Sequence, residues 1–262
     1  MNKNRIAAIV EYDGSGFSGW QWQDSAPSVQ ETVEKALSQV ANEPVRVVTA
    51  GRTDAGVHAC AQVIHFDSSA VRSEHAWLRG ANSNLPPQVA LLWAGKVSPE
   101  FHARFAATGR EYRYVILNRS VRPTYLDKRV THEYRPLDVG RMQSAASLLV
   151  GTHDFSSFRA IQCQAKSPVR ELRRLNVTRQ GNFVLIEAAA NAFLHHMVRN
   201  LAGVLMDIGA GDQEPEWAQR VLEARDRTLG GITAAPDGLY LTGIDYPVHF
   251  NIPRPPIALG LW

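Results

Sequence analysis

Apolar positions recur in the first hundred residues at spacings that predict strands and helices in a regular order. Apolar, β-branched runs bounded by turn residues indicate strands, and helical periodicity indicates helices. Ser28 followed by Glu31 forms a capping box that opens the first helix, and Pro86 follows the second. The pattern predicts strands at 5–12, 45–49, 60–66 and 89–97 and helices at 28–41 and 73–82.

The second half of the chain repeats that order. Its predicted strands lie at 111–117, 171–178, 183–190 and 239–246, and its predicted helices at 138–150, 195–208 and 215–224. Apart from the added helix at 215–224, each half therefore follows the order β-α-β-β-α-β, the split βαβ arrangement of ferredoxin-like folds, which RRM-like domains share. We predict an α+β fold of two related halves whose sheets meet edge to edge, with a central catalytic cleft.

The predicted domains are residues 1–105 and 106–262, and no sequence identity is visible between them. No apolar run approaches the roughly 20 residues that a membrane-spanning helix needs. Cys60 and Cys163 provide neither a disulfide framework nor a zinc-binding pattern. We therefore expect a protein of the reducing cytoplasm without a membrane partner.

Positive charge is concentrated in the middle of the chain. The formal net charge is only +3. Residues 101–135 contain eight basic and three acidic side chains, and residues 159–179 contain six and one. Such segments favour phosphate backbones, because each contact releases condensed counterions. Charge alone leaves an ordinary solvated surface equally open.

Gly14, Gly16 and Gly19 match the spacing of a dinucleotide-binding motif after a predicted strand. That motif needs a helix beginning at its glycines, so that the pyrophosphate meets the helix N-terminus. Here residues 20–27 separate the glycines from the predicted helix. The sequence therefore argues against a nucleotide cofactor.

The segment 50–59 is the first candidate for catalysis. Two glycines flank Arg52 and Asp54 between two apolar strands, which places a guanidinium and a carboxylate on a constrained loop. An ordinary turn explains the same residues, with the Asp54 side chain bonding its own backbone. The residues alone slightly favour the ordinary turn.

A signature and six further motifs resemble those of one enzyme family, in the family's order. They are GRTDAGVHA at 51–59, EYDG at 11–14 with FSGWQ at 17–21, FHARF at 101–105, REYRY at 110–114, DFSSF at 154–158, NAFLHHMVRN at 191–200 and GLYL at 238–241. Over nearly its whole length the chain resembles the TruA family of tRNA pseudouridine synthases.

The resemblance implies isomerisation of uridine to pseudouridine at positions 38, 39 and 40 of the tRNA anticodon arm, by a homodimer without cofactor or metal. It implies that Asp54 is the catalytic carboxylate, that Tyr112 lies under the target base and that Arg52 helps to displace that base. It also implies that Arg199 pairs with the aspartate. The implied RNA contacts are Phe101, His102, Ala103, Arg104, Phe105, Gln162, Cys163, Gln164, Ala165 and Lys166, with Arg72 as a further one.

The implied reaction suits these residue types. The enzyme must break the C1′–N1 bond, turn the uracil and rejoin it through C5. An ionised carboxylate can attack C1′, add to C6 or assist elimination at C2′, and all three routes stay open. A cationic partner would favour the ionised form of Asp54 in a dry pocket. Stacking on Tyr112 would offset part of the cost of unstacking the base.

Other interpretations are weaker. A non-catalytic tandem RNA-binding module of RRM-like halves would need the RNP1 aromatic pattern, which both halves lack. His195 and His196 suggest a metal site, but no HExxH or CxxC motif accompanies them, so a packed or hydrogen-bonded pair is favoured. Tyr112 and Tyr114 share one predicted strand face; a core role is open for Tyr112 and favoured for Tyr114.

Overall fold

The computed structural model describes residues 3–256, which form two compact units. Unit 1 contains residues 3–108 and 241–256, and unit 2 contains residues 109–240. Both combine β-strands with α-helices, so the predicted α+β class is confirmed. Within the described residues, every helix is too short or too polar to cross a bilayer.

The division into domains after residue 105 stays a prediction. The chain passes from unit 1 to unit 2 between Thr108 and Gly109. Residues 241–256, which the prediction assigned to the second half, pack in unit 1. Unit 1 is therefore built from both ends of the described chain.

Unit 1 is a mainly antiparallel sheet with two helices. Its elements are β1 (Asn4–Tyr12), α1 (Val29–Ala41), β2 (Val48–Thr49), β3 (His58–Ser68), α2 (Glu74–Asn84), β4 (Val89–Lys96) and the part of β10 (Leu239–Asp245) from residue 241 onward. The strand order is β4-β1-β3-β10, and β2 pairs with β3. β1 runs antiparallel to both β3 and β4.

Helices α1 and α2 each bury one face. The Ser28 hydroxyl accepts a hydrogen bond from the Glu31 amide at 3.3 Å, one half of the predicted capping box. Leu37 of α1 and Trp77 of α2 are buried. Trp77 packs edge-on against Phe66 of β3, with ring centroids 5.1 Å apart. This packing holds β3, the strand that follows the candidate catalytic loop.

The predicted strand at 45–49 is wrong in its first three residues, because β2 contains only the last two. The Val45 amide donates to the Ser38 hydroxyl of α1 at 2.9 Å. The Val47 amide donates to a Glu34 carboxylate oxygen of α1 at 3.0 Å. These side chains satisfy amides that a strand would have paired with a neighbour. The apolar run therefore anchors the chain on α1.

Unit 2 has a second set of strands and three helices among its described elements. They are β5 (Gly109–Asn118), β6 (Thr131–Glu133), α3 (Val139–Leu148), β7 (Gly151–Asp154), β8 (Val169–Gln180), β9 (Phe183–Ala190), α4 (Met197–Gly209) and α5 (Trp217–Ala224). The strand order is β5-β9-β8-β7, and β6 pairs with β5 in parallel. The hairpin of β8 and β9 is confirmed. The short strands β6 and β7 are additions to the prediction.

Candidate active site

The loop between β2 and β3 carries Asp54 on a backbone that is fixed on both sides. Before it, the Thr53 carbonyl accepts a hydrogen bond from the Trp20 amide at 3.0 Å. After it, the Val57 amide donates to the Asp54 carbonyl at 3.1 Å and closes a turn. The loop is therefore a constrained strand-end loop, a common position for functional groups.

Side chains along this loop alternate between surface and core. Arg52 is exposed, Thr53 is only 7% exposed and Asp54 is half-buried. Arg52 and Asp54 are therefore the accessible side chains at this point, while Thr53 anchors the loop in unit 1.

Gly14 and Gly19 lie where a second backbone segment packs closely against the Asp54 loop. A Cβ on Gly14 would lie 2.0 Å from the Val57 carbonyl oxygen. A Cβ on Gly19, whose φ is +94°, would lie 2.8 Å from the Thr53 carbonyl oxygen. Only glycine permits this approach. Gly14–Gly16 form one 3-10 turn. Because α1 begins only at Val29, the glycines do not open an α-helix, as the sequence indicated.

The predicted RNA-contacting segment between β4 and β5 is anchored by side chains of unit 1. The Tyr246 hydroxyl donates to the Ala103 carbonyl at 2.6 Å, and the Arg5 guanidinium donates to the Phe101 carbonyl at 2.9 Å. The Ala103 amide donates to Nδ1 of His65 at 3.1 Å. The Phe101 and Ala103 side chains are fully buried. These two side chains therefore shape the segment, and their neighbours face outward.

The outward residues of this segment form a stack of two rings and a cation. The rings of His102 and Phe105 are 4.3 Å apart and 30° from parallel. The Arg104 guanidinium lies 5.6 Å from the centroid of the Phe105 ring, and Phe105 is 76% exposed. An exposed aromatic ring beside a positive charge suits an unstacked nucleic-acid base and its phosphate.

Acid is expected to destabilise unit 1 through His65. Burial, then the charges of Arg5 and His102, lower the pKa of His65 from 6.5 to about 4. Between these values the unfolded state binds more protons than the folded state, so stability is complete above about pH 6.5 and falls as pH drops towards 4. For one proton, the unfolding free energy changes by at most about 1.4 kcal/mol per pH unit. Urea denaturation at several pH values measures it.

The control for this prediction is His65→Asn. Its side-chain oxygen can accept the Ala103 amide in place of Nδ1 and does not titrate. We expect a flatter dependence of the unfolding free energy on pH than in the wild type. The lowered pKa of His102 contributes in the same direction and remains in the variant. Equal slopes for wild type and variant would contradict the account.

Arg72 is exposed and precedes α2. Its Nε donates to the Val40 carbonyl at 3.1 Å, and a terminal nitrogen donates to the Val71 carbonyl at 3.1 Å. Two backbone carbonyls therefore orient this guanidinium at the surface of unit 1. Its predicted contact with RNA stays a prediction.

In unit 2, Tyr112 lies half-buried on β5. Its ring meets the ring of Phe193 edge to face, with centroids 5.1 Å apart and an angle of 85° between planes. Such a contact favours one orientation of the tyrosine ring. Tyr112 therefore offers a partly accessible, oriented aromatic surface, as a stacking role requires.

Tyr114, two residues along β5, is a core residue, as predicted. Its side chain is fully buried. Its hydroxyl bonds Thr131 at 2.6 Å and the Ala235 carbonyl at 2.7 Å. Burial raises the pKa of Tyr114 well above its ordinary value. The two tyrosines of the motif thus occupy different environments.

The predicted start of α4 at residue 195 is wrong, because the helix begins at Met197. His196 has a φ of 62°, a left-handed conformation that does not continue a helix. The ring centroids of His195 and His196 lie 4.1 Å apart, which agrees with the packed pair that the sequence favoured.

Arg199 is half-buried, and its Nε donates to the Ala234 carbonyl at 2.8 Å. Its orientation thus depends on the 234 segment of unit 2.

The second predicted RNA-contacting segment, residues 162–166, is a loop before β8. The Cys163 amide donates to the Ala160 carbonyl at 3.0 Å, and the Ala160 amide donates to the His195 carbonyl at 2.9 Å. Cys163 and Ala165 are half-buried, whereas the polar residues Gln162, Gln164 and Lys166 are exposed. Its polar side chains therefore face solvent from an anchored turn.

Sequence reasoning missed the residues that anchor these loops. Strand β3 is largely apolar, and three of its buried polar side chains each bond the backbone of a loop at the site. They are His58 to the Gly14 amide at 3.0 Å, Gln62 to the Gly51 carbonyl at 2.7 Å and His65 to the Ala103 amide at 3.1 Å. Polar residues in an apolar strand were the available signal, because buried polar groups require partners.

A family model described as tRNA pseudouridine synthase matches residues 8–106 and 145–247, more than half of the chain. The chain belongs to the tRNA pseudouridine synthase family. The matched ranges contain Asp54 and Arg199. Tyr112 lies between them, so its assignment depends on the REYRY motif and on likeness to individual relatives.

Relatives of the family resemble the chain over nearly its full length. A tRNA pseudouridine synthase A of Nitrosococcus oceani is 60% identical over 258 residues, covering 98% of this chain and 100% of the relative. Proteins of the same name from Coxiella burnetii and an Enterobacter species are 54% and 53% identical, each covering 97% of this chain. The matched regions cover 97% of the Coxiella protein and 94% of the Enterobacter protein.

Proposed function

We propose that this protein isomerises uridine to pseudouridine at positions 38, 39 and 40 of the tRNA anticodon arm, with Asp54 as the catalytic carboxylate. The observation that carries the proposal is the Asp54 loop, where a half-buried carboxylate sits beside an exposed Arg52 on a backbone fixed on both sides. Family membership supports the coarser part, an isomerase that forms pseudouridine in tRNA.

Asp54 and its neighbours match the needs of the reaction. Breaking the C1′–N1 bond and rejoining the base through C5 requires a group that can act as nucleophile or base, and a carboxylate does either. The base must first leave its stack. Arg52, exposed beside Asp54, is proposed to displace it, and Tyr112 is proposed to stack against it. The edge contact from Phe193 supports that stacking role, because it orients the ring.

The proposed RNA surface comprises residues 101–105, residues 162–166 and Arg72. Support comes from the exposed cations Arg104 and Lys166 and from the accessible Phe105 ring. Phosphate contacts made by such cations supply affinity without reading sequence. The surface would therefore hold tRNA while the Asp54 loop acts on one uridine.

Replacing Arg104 or Lys166 by alanine should weaken tRNA binding. Each variant should flatten the dependence of log K on log salt by up to about one unit, because one fewer counterion is released. Titration of labelled tRNA at four salt concentrations measures both the affinity and its dependence on salt. Lys35→Ala is the control, since this exposed lysine pairs with Glu31 on α1 at 2.6 Å, outside the proposed surface. Unchanged affinity and slope in both variants would leave these cations as solvated charges.

Further parts of the proposal come from the sequence. The order of predicted elements suggests two related ferredoxin-like halves, and the cysteine content suggests a cytoplasmic location. The family resemblance implies a homodimeric state and pairing of Arg199 with Asp54. Analytical ultracentrifugation tests the dimer. For the pairing, Arg199→Lys should retain more turnover than Arg199→Met, because only lysine preserves the positive charge. Equal loss in the two variants would count against pairing.

Position specificity is tested with tRNA transcripts that keep a single uridine in the anticodon arm. We expect pseudouridine when that uridine occupies position 38, 39 or 40 and none when it is moved to the acceptor arm. Chemical mapping of each transcript reads the position directly. Product at other positions alone would overturn the specificity while leaving the isomerase assignment intact.

A further inference from the structure

Thr53, the residue before Asp54, is held in the core by a side-chain hydrogen bond. Its Oγ1 lies 2.8 Å from the Tyr12 hydroxyl, and both side chains are buried, at 7% and 4% exposure. Its carbonyl is held separately by the Trp20 amide. Thr53 is therefore fixed through both side chain and backbone, one residue before the carboxylate.

Gln62 of β3 connects the same tyrosine to the start of the loop. Its Nε2 donates to the Gly51 carbonyl at 2.7 Å and lies 3.5 Å from the Tyr12 hydroxyl. Because a carbonyl only accepts, the amide nitrogen must face Gly51. Gln62 is fully buried, and among the described residues its Oε1 has no hydrogen-bond partner. The structure thus tolerates an unsatisfied oxygen in order to place this donor.

Strand β1 is irregular where it presents Tyr12. The pairing register of β1 with β3 shifts between Val10 and Tyr12. A shift of this kind marks a β-bulge or a similar irregularity. Bulges re-aim side chains and are over-represented next to active sites. Burial raises the pKa of Tyr12 to about 12, so its hydroxyl stays protonated and can donate to Thr53 at neutral pH.

From this geometry we propose that Tyr12, Thr53 and Gln62 are positioning residues that set the place of the Asp54 carboxylate relative to the reacting uridine. The inference rests on the proposed function of Asp54. Hydrogen bonds are directional, so they fix the loop more narrowly than apolar contacts of equal volume would. Productive geometry tolerates displacements of only about 0.5 Å.

The test compares single-turnover pseudouridine formation with tRNA affinity. Tyr12→Phe and Thr53→Val each remove one hydroxyl with little change in volume. Each should lower the rate by roughly tenfold to a hundredfold, the cost of a displacement near 1 Å, and leave the Kd for tRNA within about twofold of wild type. The double variant should be no slower than the slower single variant, because both substitutions remove the same hydrogen bond between Tyr12 and Thr53.

Two further variants separate positioning from simple stability. Thr53→Ser keeps the hydroxyl and should restore the rate to within about threefold of wild type. Tyr240→Phe removes another buried hydroxyl, which donates to the Arg129 carbonyl at 2.5 Å in unit 2. It should lower the melting temperature without lowering the rate of the folded protein.

Wild-type rates for Tyr12→Phe and Thr53→Val, beside an inactive Asp54→Asn, would overturn the positioning role and leave the proposed function standing. A rate loss that Thr53→Ser fails to restore, or that Tyr240→Phe reproduces, would also overturn it. Normal turnover by Asp54→Asn would overturn the proposed role of Asp54 and this inference together.

Discussion

Replacement of Asp54 by asparagine is expected to lower pseudouridine formation by at least roughly a thousandfold. The amide is nearly isosteric with the carboxylate but is neither a nucleophile nor a base at neutral pH. The fold should survive, because the main-chain bond that closes the turn uses the Asp54 carbonyl, which asparagine retains. Single-turnover assays on purified variant, with tRNA in place of a short oligonucleotide, measure the loss.

Asp24→Asn is the matched control for that prediction. Asp24 is an exposed carboxylate of the same unit, outside the loop, and its variant should turn over at the wild-type rate. The Kd of Asp54→Asn for tRNA should stay close to that of wild type, since affinity comes mainly from phosphate contacts. Product formation by pure Asp54→Asn above a few thousandths of the wild-type rate would remove Asp54 from the chemistry.

Tyr112→Phe is expected to bind tRNA normally and to isomerise it slowly. The phenylalanine keeps the ring and its edge contact with Phe193, so stacking is preserved. Loss of general acid–base participation typically costs about two to four decades in rate. A proton must leave C5 once the new bond has formed, and we propose that the Tyr112 hydroxyl takes part in its removal. Single-turnover rates at saturating enzyme measure the effect.

Tyr112→Ala separates the two proposed roles of this tyrosine. It removes the stacking surface as well, which is worth about 1–3 kcal/mol per base, and should therefore also weaken binding. Tyr114→Phe is the control, because it removes a buried hydroxyl two residues away and should cost stability, not turnover per folded molecule. If Tyr112→Phe turns over within about threefold of wild type, only stacking remains for Tyr112.

The order of elements was predictable because long apolar runs set it. Strands β1 and β9 and helix α1 are buried along most of one face, and their bounds were predicted within two residues. The segment 45–47 has equally strand-like residues. Its amides found side-chain partners on α1, a choice that depends on tertiary packing and not on local propensity.

The start of α4 shows a different limit. The helical spacing of apolar residues extends back beyond Met197 to Leu194. His196, however, adopts a left-handed backbone conformation that few residues other than glycine adopt. No side-chain cap marks the true start. Periodicity therefore extended the helix over two residues that belong to the preceding turn.

The candidate site was located by its motif, whereas its supports were not. The GRTDAGVHA segment is contiguous, so residue types and spacing identify it. Tyr12 lies 41 residues before Thr53, and Gln62 lies 50 residues after Tyr12. These side chains meet through the pairing register of the sheet and the shift in it at Tyr12. A single sequence does not specify such pairings, although polar residues in an apolar strand pointed to them.

The most direct test follows the hydrogen on C5. Forming the C5–C1′ bond expels that hydrogen, so tRNA labelled with tritium at C5 of uridine releases one tritium to water for each pseudouridine made. The pure protein, in chelator and without added nucleotide, should release tritium from position 38, 39 or 40, and Asp54→Asn should release none. Tight tRNA binding by the wild type without tritium release would contradict the account and indicate a binding module instead.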